Sequence, residues 1–131
     1  SKGILKTYLL DTYSSRKLKM ECTGNGSLTN IIIDTDRSLT KNIISTMEDG
    51  IFITDMMGSG ANTLTGDYSR GAFGYLIKDG EIKHPVTEIT VASNLLKMFK
   101  NIVALGDDID IRGRIRTGSI LIKDITIGGT K

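Results

Sequence analysis

The chain has 131 residues, and its 17 basic and 15 acidic side chains leave a formal charge of only +2. This length is enough for one domain with a core and too short to argue for two, so we expect a single domain over residues 1–131. The near-balanced charge excludes the strongly basic surface typical of nucleic-acid binding, and no apolar run approaches the ~20 residues that span a bilayer. We therefore predict neither a direct nucleic-acid partner nor a membrane partner.

Cys22 and His84 are the only cysteine and the only histidine. A zinc site takes three or four ligands, usually His and Cys at short spacing. These two residues are far apart in the sequence and would need carboxylates or another chain to complete a site, so no metal ligands are predicted in this chain. A lone cysteine forms no internal disulfide, which indicates a reducing compartment and hence the cytoplasm. No catalytic residues are predicted either, because a serine nucleophile needs a paired histidine base.

The first third of the chain contains two predicted strands and a helical turn. Ile4 to Tyr13 is rich in β-forming residues and predicts a strand. Ser14-Ser15 then caps a short helical turn. Cys22 to Thr29 has the composition of a loop, and Asn30 to Asp34 predicts a short buried strand.

The next predicted helix begins at Ser38, whose hydroxyl suits an N-cap. Gly50 stands where a glycine would end that helix, and the segment from Gly50 to Asp55 predicts the following strand. The helix is inferred from four apolar residues at helical spacing: Leu39, Ile43, Ile44 and Met47.

A β-hairpin is predicted around Asp79-Gly80, which lies between two runs of strand-forming residues. Asp-Gly readily supplies the positive φ angles of a two-residue type I′ turn, so Lys78 and Glu81 should face each other. Pro85 is expected to end the pairing, because proline has no N–H to donate to a ladder.

The last third of the chain predicts one more helix and several short strands. Glu88 to Val91 predicts a strand, and Ser93 or Asn94 can cap the helix, which Gly106 would end. Ile109 to Ile127 gives two further strand-like runs. The helix is inferred from apolar residues at helical spacing: Leu95, Leu96, Phe99, Ile102 and Val103. Short strands without βαβ alternation predict an α+β fold with a mainly antiparallel β-sheet and about two helices.

A polar run precedes the hairpin and contains Thr65, Asp67, Ser69 and Arg70. One interpretation is a binding surface in which Asp67 and Arg70 orient a ligand's backbone or charged ends. The other is a turn in which Asp67 and Ser69 bond their own backbone, and spacing alone favours the turn. Gly58-Ser59-Gly60 is either a phosphate cradle or a closely packed loop, and the loop is favoured because the lysine of a P-loop is missing.

Three arginines alternate with other residues near the end of the chain: Arg112, Arg114 and Arg116. On a strand this spacing places three guanidinium groups on one face. Such a face suits a phosphate, an acidic partner or a substrate carboxylate. The alternative, favoured on the residues alone, is a solvated strand face offset by the neighbouring aspartates.

Two segments carry a more specific signal: YSSRKLKMECTGNG near the start, and NTLTGDYSRGAFGYLIKDGE with the residues that follow it to the final ITIGG. In this order they closely resemble the C-terminal part of the TldD/TldE (PmbA) family over nearly the whole chain. The resemblance implies the C-terminal domain of a bacterial protein several times longer. The start of the chain agrees with that expectation, because it has no initiator methionine and opens almost directly in a strand-like run.

Members of that family are known as paired subunits that form a zinc-dependent peptidase, long described as a modulator of DNA gyrase. The TldD-type subunit carries HExxxH and a cysteine in a late GTCGK-like motif. Here the corresponding stretch, Ile115 to Ile122, has no cysteine, and HExxxH is absent. The resemblance therefore implies the TldE/PmbA type, a subunit without a metal site that completes the substrate chamber of a TldD-type partner. Zinc is expected in that partner, and unfolded or leader peptides are the implied substrates.

The resemblance also implies site residues and partners. The arginines at 112, 114 and 116 become candidates for the subunit interface, and an isolated chain is expected to be able to form a homodimer. Two alternatives stay open: a regulatory protein that acts on gyrase or DNA, and a module that serves assembly only. The candidate peptide-binding residues are the family-motif positions Gly66, Asp67, Tyr68, Ser69, Arg70 and Gly71.

Overall fold

The computed structural model describes residues 4–24, 26–33 and 36–129. This described part of the chain contains three short helices and eight strands. In chain order they are α1 (Thr12–Leu18), β1 (Ile31–Ile32), α2 (Thr40–Ser45), β2 (Asp49–Met57), β3 (Asp67–Lys78), β4 (Glu81–Asn94), α3 (Leu95–Lys100), β5 (Ile102–Leu105), β6 (Ile115–Arg116), β7 (Ile120–Ile122) and β8 (Thr126–Gly128).

Two compact units make up the chain. The first is formed by Ser1–Ile33 and Ile111–Arg116, and the second by Asp34–Asp110 and Thr117–Lys131. The first unit thus contains α1, β1 and β6, and the second contains the remaining helices and strands. The division rests on contacts inside each unit and does not test whether residues 1–131 form a single domain. The single domain therefore stays a prediction.

Helix α1 of the first unit begins after Asp11, whose Oδ1 accepts a 2.7 Å hydrogen bond from the Ser14 N–H. An aspartate in this position satisfies one of the free N–H groups at a helix start. The predicted cap at Ser14-Ser15 is therefore wrong, because Asp11 is the N-cap and both serines lie inside the helix. Ser15 is buried, and its hydroxyl donates to the Thr12 carbonyl at 3.0 Å.

The predicted strand from Ile4 to Tyr13 is wrong. Residues 4–10 have no regular structure, and α1 takes the end of the predicted range. The backbone of Leu10 instead bonds to Thr23: its N–H donates to Thr23 Oγ1 at 2.8 Å, and its carbonyl accepts from the Thr23 N–H at 3.1 Å. These bonds hold Leu10 against a loop rather than in a ladder.

A short parallel pair completes the first unit, with Ile31 of β1 opposite Ile115 of β6. The buried strand predicted for Asn30 to Asp34 is reduced to two residues, and Ile32 is 63% exposed. Asp34 lies outside the described residues. The predicted loop from Cys22 to Thr29 is confirmed where it is described, since neither helix nor strand occurs there.

The second unit is built on a four-stranded sheet in the order β2-β3-β4-β8, and β5 and β7 form a separate pair. Every pairing in this unit's sheets is antiparallel, which confirms the predicted α+β fold with mainly antiparallel strands. The buried centre consists of Ala72, Ile89 and Val91. Partly buried hydrophobic residues pack around it: Ile51, Ile53, Met56, Tyr68, Val86 and Ile125.

The predicted hairpin is confirmed. Lys78 lies opposite Glu81, and the two turn residues Asp79 and Gly80 have φ angles of 52° and 74°. These positive angles are those of a type I′ turn. A Cβ at Gly80 would lie 2.7 Å from the Ser45 carbonyl oxygen, so close approach of the backbone also requires glycine here.

Pro85 does not end the pairing, contrary to the prediction. It lies opposite Tyr75, and β4 continues to Asn94. The ladder shifts register between Tyr75 and Ile77, and β8 pairs only with Thr90–Ala92, so Pro85 lies beside an irregularity in a stretch that is paired on one side. Edges and bulges are the places where a sheet tolerates proline.

Helix α2 is shorter than predicted. Leu39 occupies its N-cap position without a side-chain hydrogen bond, and Ser38 instead forms an isolated bridge with Gly106. Gly50 does not end this helix, because it lies inside β2, which extends the strand predicted for residues 50–55 at both ends. The helix therefore ends at Ser45, and cross-strand pairing begins at Asp49, one residue before the predicted helix end.

Helix α3 has the predicted cap, because Asn94 Oδ1 accepts a 3.0 Å hydrogen bond from the Leu96 N–H. The helix ends at Lys100 rather than near Gly106, and residues 102–105 form β5. The apolar residues at 102 and 103 thus belong to a strand, for which their β-branched side chains are well suited. None of the described helices is long and apolar enough to cross a membrane.

Candidate functional site

The polar run before β3 folds into a tight turn closed by its own side chains. Asn62 Oδ1 accepts hydrogen bonds from the N–H groups of Leu64 and Thr65 at 2.9 and 3.3 Å. The Asn62 N–H donates to the Asp67 carbonyl at 2.8 Å, and the Thr65 hydroxyl donates to Asp67 Oδ2 at 2.7 Å. The polar run is therefore a turn, as spacing alone favoured, but the Asp67 carboxylate bonds to the Thr65 hydroxyl rather than to its own backbone.

Gly66 joins this turn to the start of α3. Its φ of 81° is in the left-handed region, and its carbonyl accepts a 2.7 Å hydrogen bond from the Leu95 N–H. Asn94 Nδ2 also donates to the Thr65 carbonyl at 3.2 Å. One asparagine thus caps the helix and ties the helix to the turn.

Arg70 and Tyr68 of β3 reach back to the end of β2. The Arg70 guanidinium donates to the carbonyls of Met56 and Met57 at 3.1 and 3.3 Å. The Tyr68 hydroxyl contacts Met56 Sδ at 3.0 Å. The structure therefore brings the predicted residues 66–71 together at the start of β3, but Asp67 and Arg70 bond to the chain itself.

The glycine-rich segment at residues 58–60 packs against the backbone of β3. The Ser69 N–H donates to the Gly60 carbonyl at 2.8 Å, and a Cβ at Gly60 would overlap the Ser69 carbonyl oxygen. This close approach is the packed loop that the sequence favoured over a phosphate cradle. The segment leads to a strand and provides no helix N-terminus for a phosphate.

The three arginines do not share one strand face, contrary to the prediction. Residues 112–114 form a bend, and only Arg116 lies in a strand, β6. The Arg114 carbonyl accepts a 2.8 Å hydrogen bond from the Ile31 N–H, so this segment is held through its backbone. All three arginines are exposed. Their role in a subunit interface stays a prediction.

An open cleft of about 1400 Å³ lies in the second unit. One side is formed by β2, of which residues 49–56 all line the cleft, and another by residues 119–125, which include β7. The six predicted peptide-binding residues all lie in the described part of the chain, and among them only Arg70 lines the cleft. Apolar side chains of α2 and nearby elements contribute to the lining: Ile43, Ile44, Met47, Met98 and Val103. Sequence patterns gave no sign of this cleft.

A polar cluster around Asp108 holds the start of α2. The Thr40 hydroxyl donates to Asp108 Oδ1 at 2.7 Å, and the Ser119 hydroxyl donates to Asp108 Oδ2 at 2.6 Å. Burial opposes the charged form, but these bonds and the Ser119 N–H outweigh it and lower the pKa of Asp108 to about 2. Asp107 Oδ1 accepts from the Thr40 N–H at 3.0 Å and so supplies the missing helix cap.

This cluster was missed by sequence reasoning because its members are distant in the chain. Thr40 and the two aspartates are separated by 67 and 68 positions. The sequence contains one signal for this cluster, the carboxylate pair Asp107-Asp108 directly after Gly106. The predicted cap at Ser38 does not form, so the start of α2 needs an acceptor from elsewhere in the chain.

The donor groups in the described part of the chain do not fit a zinc site. No group of three or more His, Cys, Asp or Glu side chains is arranged to hold a metal ion within residues 4–24, 26–33 and 36–129. Cys22 is a free, exposed thiol. Within residues 115–122, the Ser119 hydroxyl donates to Asp108 Oδ2.

Comparison with known proteins identifies the family. The model of the PmbA/TldA metallopeptidase C-terminal domain matches residues 1–129. A metalloprotease PmbA homolog from Buchnera aphidicola is 47% identical over 131 residues, which cover 98% of this chain and 29% of that protein. The chain belongs to the PmbA/TldD metallopeptidase family. It therefore spans less than a third of the length of the curated relatives that it matches.

A solved structure supports both the family and the fold of this PmbA/TldD chain. The crystal structure of a Bacteroides thetaiotaomicron protein described as a modulator of DNA gyrase superposes with a TM-score of 0.88 at 33% identity. The match covers 99% of this chain and 30% of the other. A metalloprotease TldD homolog from Buchnera aphidicola is 27% identical over 154 residues, which cover 98% of this chain and 32% of that protein. The higher identity to the PmbA homolog confirms the predicted TldE/PmbA type.

Proposed function

We propose that this chain is part of the subunit without zinc in a two-subunit zinc metallopeptidase. In this proposal it forms one wall of the chamber in which a TldD-type partner cleaves unfolded or leader peptides in the cytoplasm. This proposal rests on sequence identity, which is 47% to a PmbA homolog and 27% to a TldD homolog. The Ser119 hydroxyl donates to Asp108 Oδ2, in the stretch that the resemblance matches to the family's cysteine motif. A serine bonded in this way supports the same assignment.

The wall of the chamber is formed by residues 66–71 and β3. Asp67 and Arg70 bond to the chain itself, at 2.7 Å to Thr65 and 3.1 Å to Met56, so they hold the shape of the wall. Peptide contact then falls to the remaining side chains of this wall, because the backbone of β3 is already paired with β2 on one side and β4 on the other.

The TldD-type partner binds the exposed arginines at 112, 114 and 116 in this proposal. Guanidinium groups form bidentate bonds with carboxylates, which suits an acidic patch on the other subunit. Reversal of charge in Arg114→Glu is expected to weaken the heterodimer, measured by co-purification at low and high salt. Unchanged association and unchanged cleavage would remove this interface from the proposal.

The test of function is cleavage of an unfolded peptide by the full-length protein with and without its TldD-type partner. We expect cleavage only when both subunits are present, and we expect a zinc chelator to abolish it. The matched control is the partner assayed alone at the same concentration. Chelator-sensitive cleavage by the PmbA-type protein alone would overturn the assignment.

A second candidate is a regulatory protein without a proteolytic role. The observation that favours it is the description of the similar Bacteroides protein as a modulator of DNA gyrase. The charge of +2 argues against direct contact with DNA. Salt-dependent binding of DNA in a gel-shift titration of the full-length protein would favour this candidate over the peptidase subunit.

A further inference from the structure

Exposed hydrophobic side chains are concentrated at the start of the first unit. Within residues 4–20, Leu10 is the buried hydrophobic residue, whereas seven large ones are exposed, Tyr13 of α1 at 71%. Exposed hydrophobic residues that stand singly are normal on a protein surface, but a dense group marks a contact surface. The seven residues, which we call the 4–20 surface together with the cations between them, are Ile4, Leu5, Tyr8, Leu9, Tyr13, Leu18 and Met20.

Cationic side chains lie between these hydrophobic residues. Arg16 and Lys17 occupy the last turn of α1, and Lys6 and Lys19 are exposed on either side of the helix in the sequence. Within residues 4–24, 26–33 and 36–129, no carboxylate forms an ion pair with any of the four. The first unit has eight basic and two acidic side chains in all, against nine and thirteen in the second. The net charge of +2 therefore conceals a basic unit, which suits an occupant rich in carboxylates.

Charge and composition narrow the choice of what covers this surface. Two copies that met through it would bring like charges together, which opposes association. Nucleic acid meets cations through its phosphates in polar interfaces, so the seven hydrophobic side chains would have no counterpart there. A protein surface with an apolar centre and a rim of carboxylates fits both features, and arginine, tyrosine and methionine are typical of protein interfaces.

Most of the full-length protein lies outside these 131 residues. The chain covers 29% of a PmbA homolog, and the family model that matches it describes a C-terminal domain. A surface elsewhere on the same polypeptide is tethered to the first unit, which gives it a higher effective concentration than a separate protein has. The rest of the same polypeptide therefore has the advantage over any separate partner.

We propose that the 4–20 surface docks onto the part of the full-length protein outside these 131 residues, at a face with an apolar centre and carboxylates around it. The contact buries hydrophobic side chains of a unit that, among its described residues, buries only Leu10 by itself. It thus supplies the core that so small a unit lacks. The proposal does not depend on the peptidase role, and it leaves the arginines at 112, 114 and 116 to the TldD-type partner.

Thiol alkylation of the full-length protein tests whether the surface is covered. Leu5→Cys and Tyr13→Cys place thiols on it, and Leu64→Cys, at a residue 96% exposed in the second unit, is the matched control. We expect maleimide to modify the first two at least about tenfold more slowly than the control, because reaction there requires local opening. Mass spectrometry of the digested protein gives the rate at each site. Equal rates would show that the surface is uncovered and would overturn the proposal.

Charge reversal tests the carboxylates of the occupant. Arg16→Glu with Lys17→Glu should speed the alkylation of Leu5→Cys about tenfold, because the new carboxylates repel those of the occupant. The matched control is Lys97→Glu with Lys100→Glu, which reverses two cations in the last turn of α3 and should leave the rate unchanged. An equal effect of both pairs, or an effect of neither, would refute the charge complementarity.

Photo-crosslinking identifies the occupant. The full-length protein carries p-benzoylphenylalanine in place of Tyr13, and isotopically light and heavy copies are mixed before irradiation. We expect crosslinks within one copy, to residues outside these 131. Crosslinks between a light and a heavy copy, to the TldD-type partner, or to residues 34–110 would assign the surface to another occupant, and each would overturn the proposal. None of these readouts is cleavage, so their failure is distinct from failure of the peptidase role.

Discussion

The two compact units differ in what holds them together. Among its described residues the first unit buries one hydrophobic side chain, Leu10, and its sheet is a pair of two-residue strands. Its order rests on polar contacts such as the Asp11 cap and the Thr23 bonds. The second unit has long antiparallel ladders and a buried set of hydrophobic residues: Ile43, Ala72, Ile77, Ile89 and Val91. The second unit should therefore set the global free energy of unfolding, while the first opens locally.

The largest expected effect is a cavity in the second unit. Ile77 is fully buried, at 0% exposure, so Ile77→Ala should lower the free energy of unfolding by about 2–5 kcal/mol. Urea denaturation measures this loss. The matched control is Ile82→Ala, which removes the same atoms from the residue paired with Ile77 but at 50% exposure. Equal losses for the two variants would contradict the assignment of the core.

The hairpin turn of the second unit should be the next most sensitive position. In Gly80→Ala the new Cβ lies 2.7 Å from the Ser45 carbonyl oxygen at a φ of 74°, so we expect a loss of about 1–2 kcal/mol or more. Gly58→Ala has a similar φ of 71° with no atom within 4 Å, and it isolates the backbone strain from the clash. Thermal unfolding compares the two. A larger loss of stability in Gly58→Ala than in Gly80→Ala would show that the close approach at Ser45 does not contribute to the effect.

The Asp108 cluster predicts a smaller, pH-dependent contribution. The folded pKa of about 2 is below the ordinary 3.8, so the charged carboxylate stabilises the fold above about pH 4, and this contribution is lost as pH falls toward 2. Because Asp108 is largely exposed, solvent screening leaves about 1 kcal/mol. Urea unfolding of the native chain and Asp108→Asn should differ at pH 6 and converge near pH 2. A difference that grows with acidity would reverse the sign and refute the hydrogen-bond account.

The smallest global effect is expected from the first unit. Asp11→Ala removes the cap of α1, whose carboxylate accepts the Ser14 N–H and consequently has a lowered pKa. We expect faster hydrogen exchange of the α1 amides and little change in the global unfolding midpoint. Asp11→Asn, which keeps an accepting oxygen, should restore most of the protection. If Asp11→Ala lowers the midpoint as much as Ile77→Ala does, the two units do not differ in the way described above.

Features fixed by neighbouring residues were predicted well. Asp79-Gly80 specified its hairpin because the turn's φ angles depend on those two residues alone. Asn94 is one of the two helix caps that the sequence predicts, because the bond to Leu96 spans only two positions. The polar run from Thr65 forms the turn that spacing favours, but Asn62 makes the side-chain bonds to the backbone, whereas the Asp67 carboxylate accepts from the Thr65 hydroxyl.

Features that depend on distant partners were not predicted. The helix end predicted at Gly50 does not form, because Gly50 pairs with Ile77, a partner that the local pattern does not reveal. The expected strand around Leu10 is absent because Thr23 bonds its backbone. The arginines from 112 to 116 alternate as a strand would, but only the last of them has a ladder partner, in β1.

The fold class, the family and the turn chemistry follow from the sequence, because they depend on composition, motif and short-range bonding. Which strand edges stay unpaired and which carboxylate replaces the cap of α2 are known only from the three-dimensional structure. Both depend on residues far apart in the chain, as with Thr40 and Asp108, 68 positions away. The polar run before the hairpin shows both sides: its turn was predictable, whereas the bonding of Arg70 to β2, which places it at the cleft, was not.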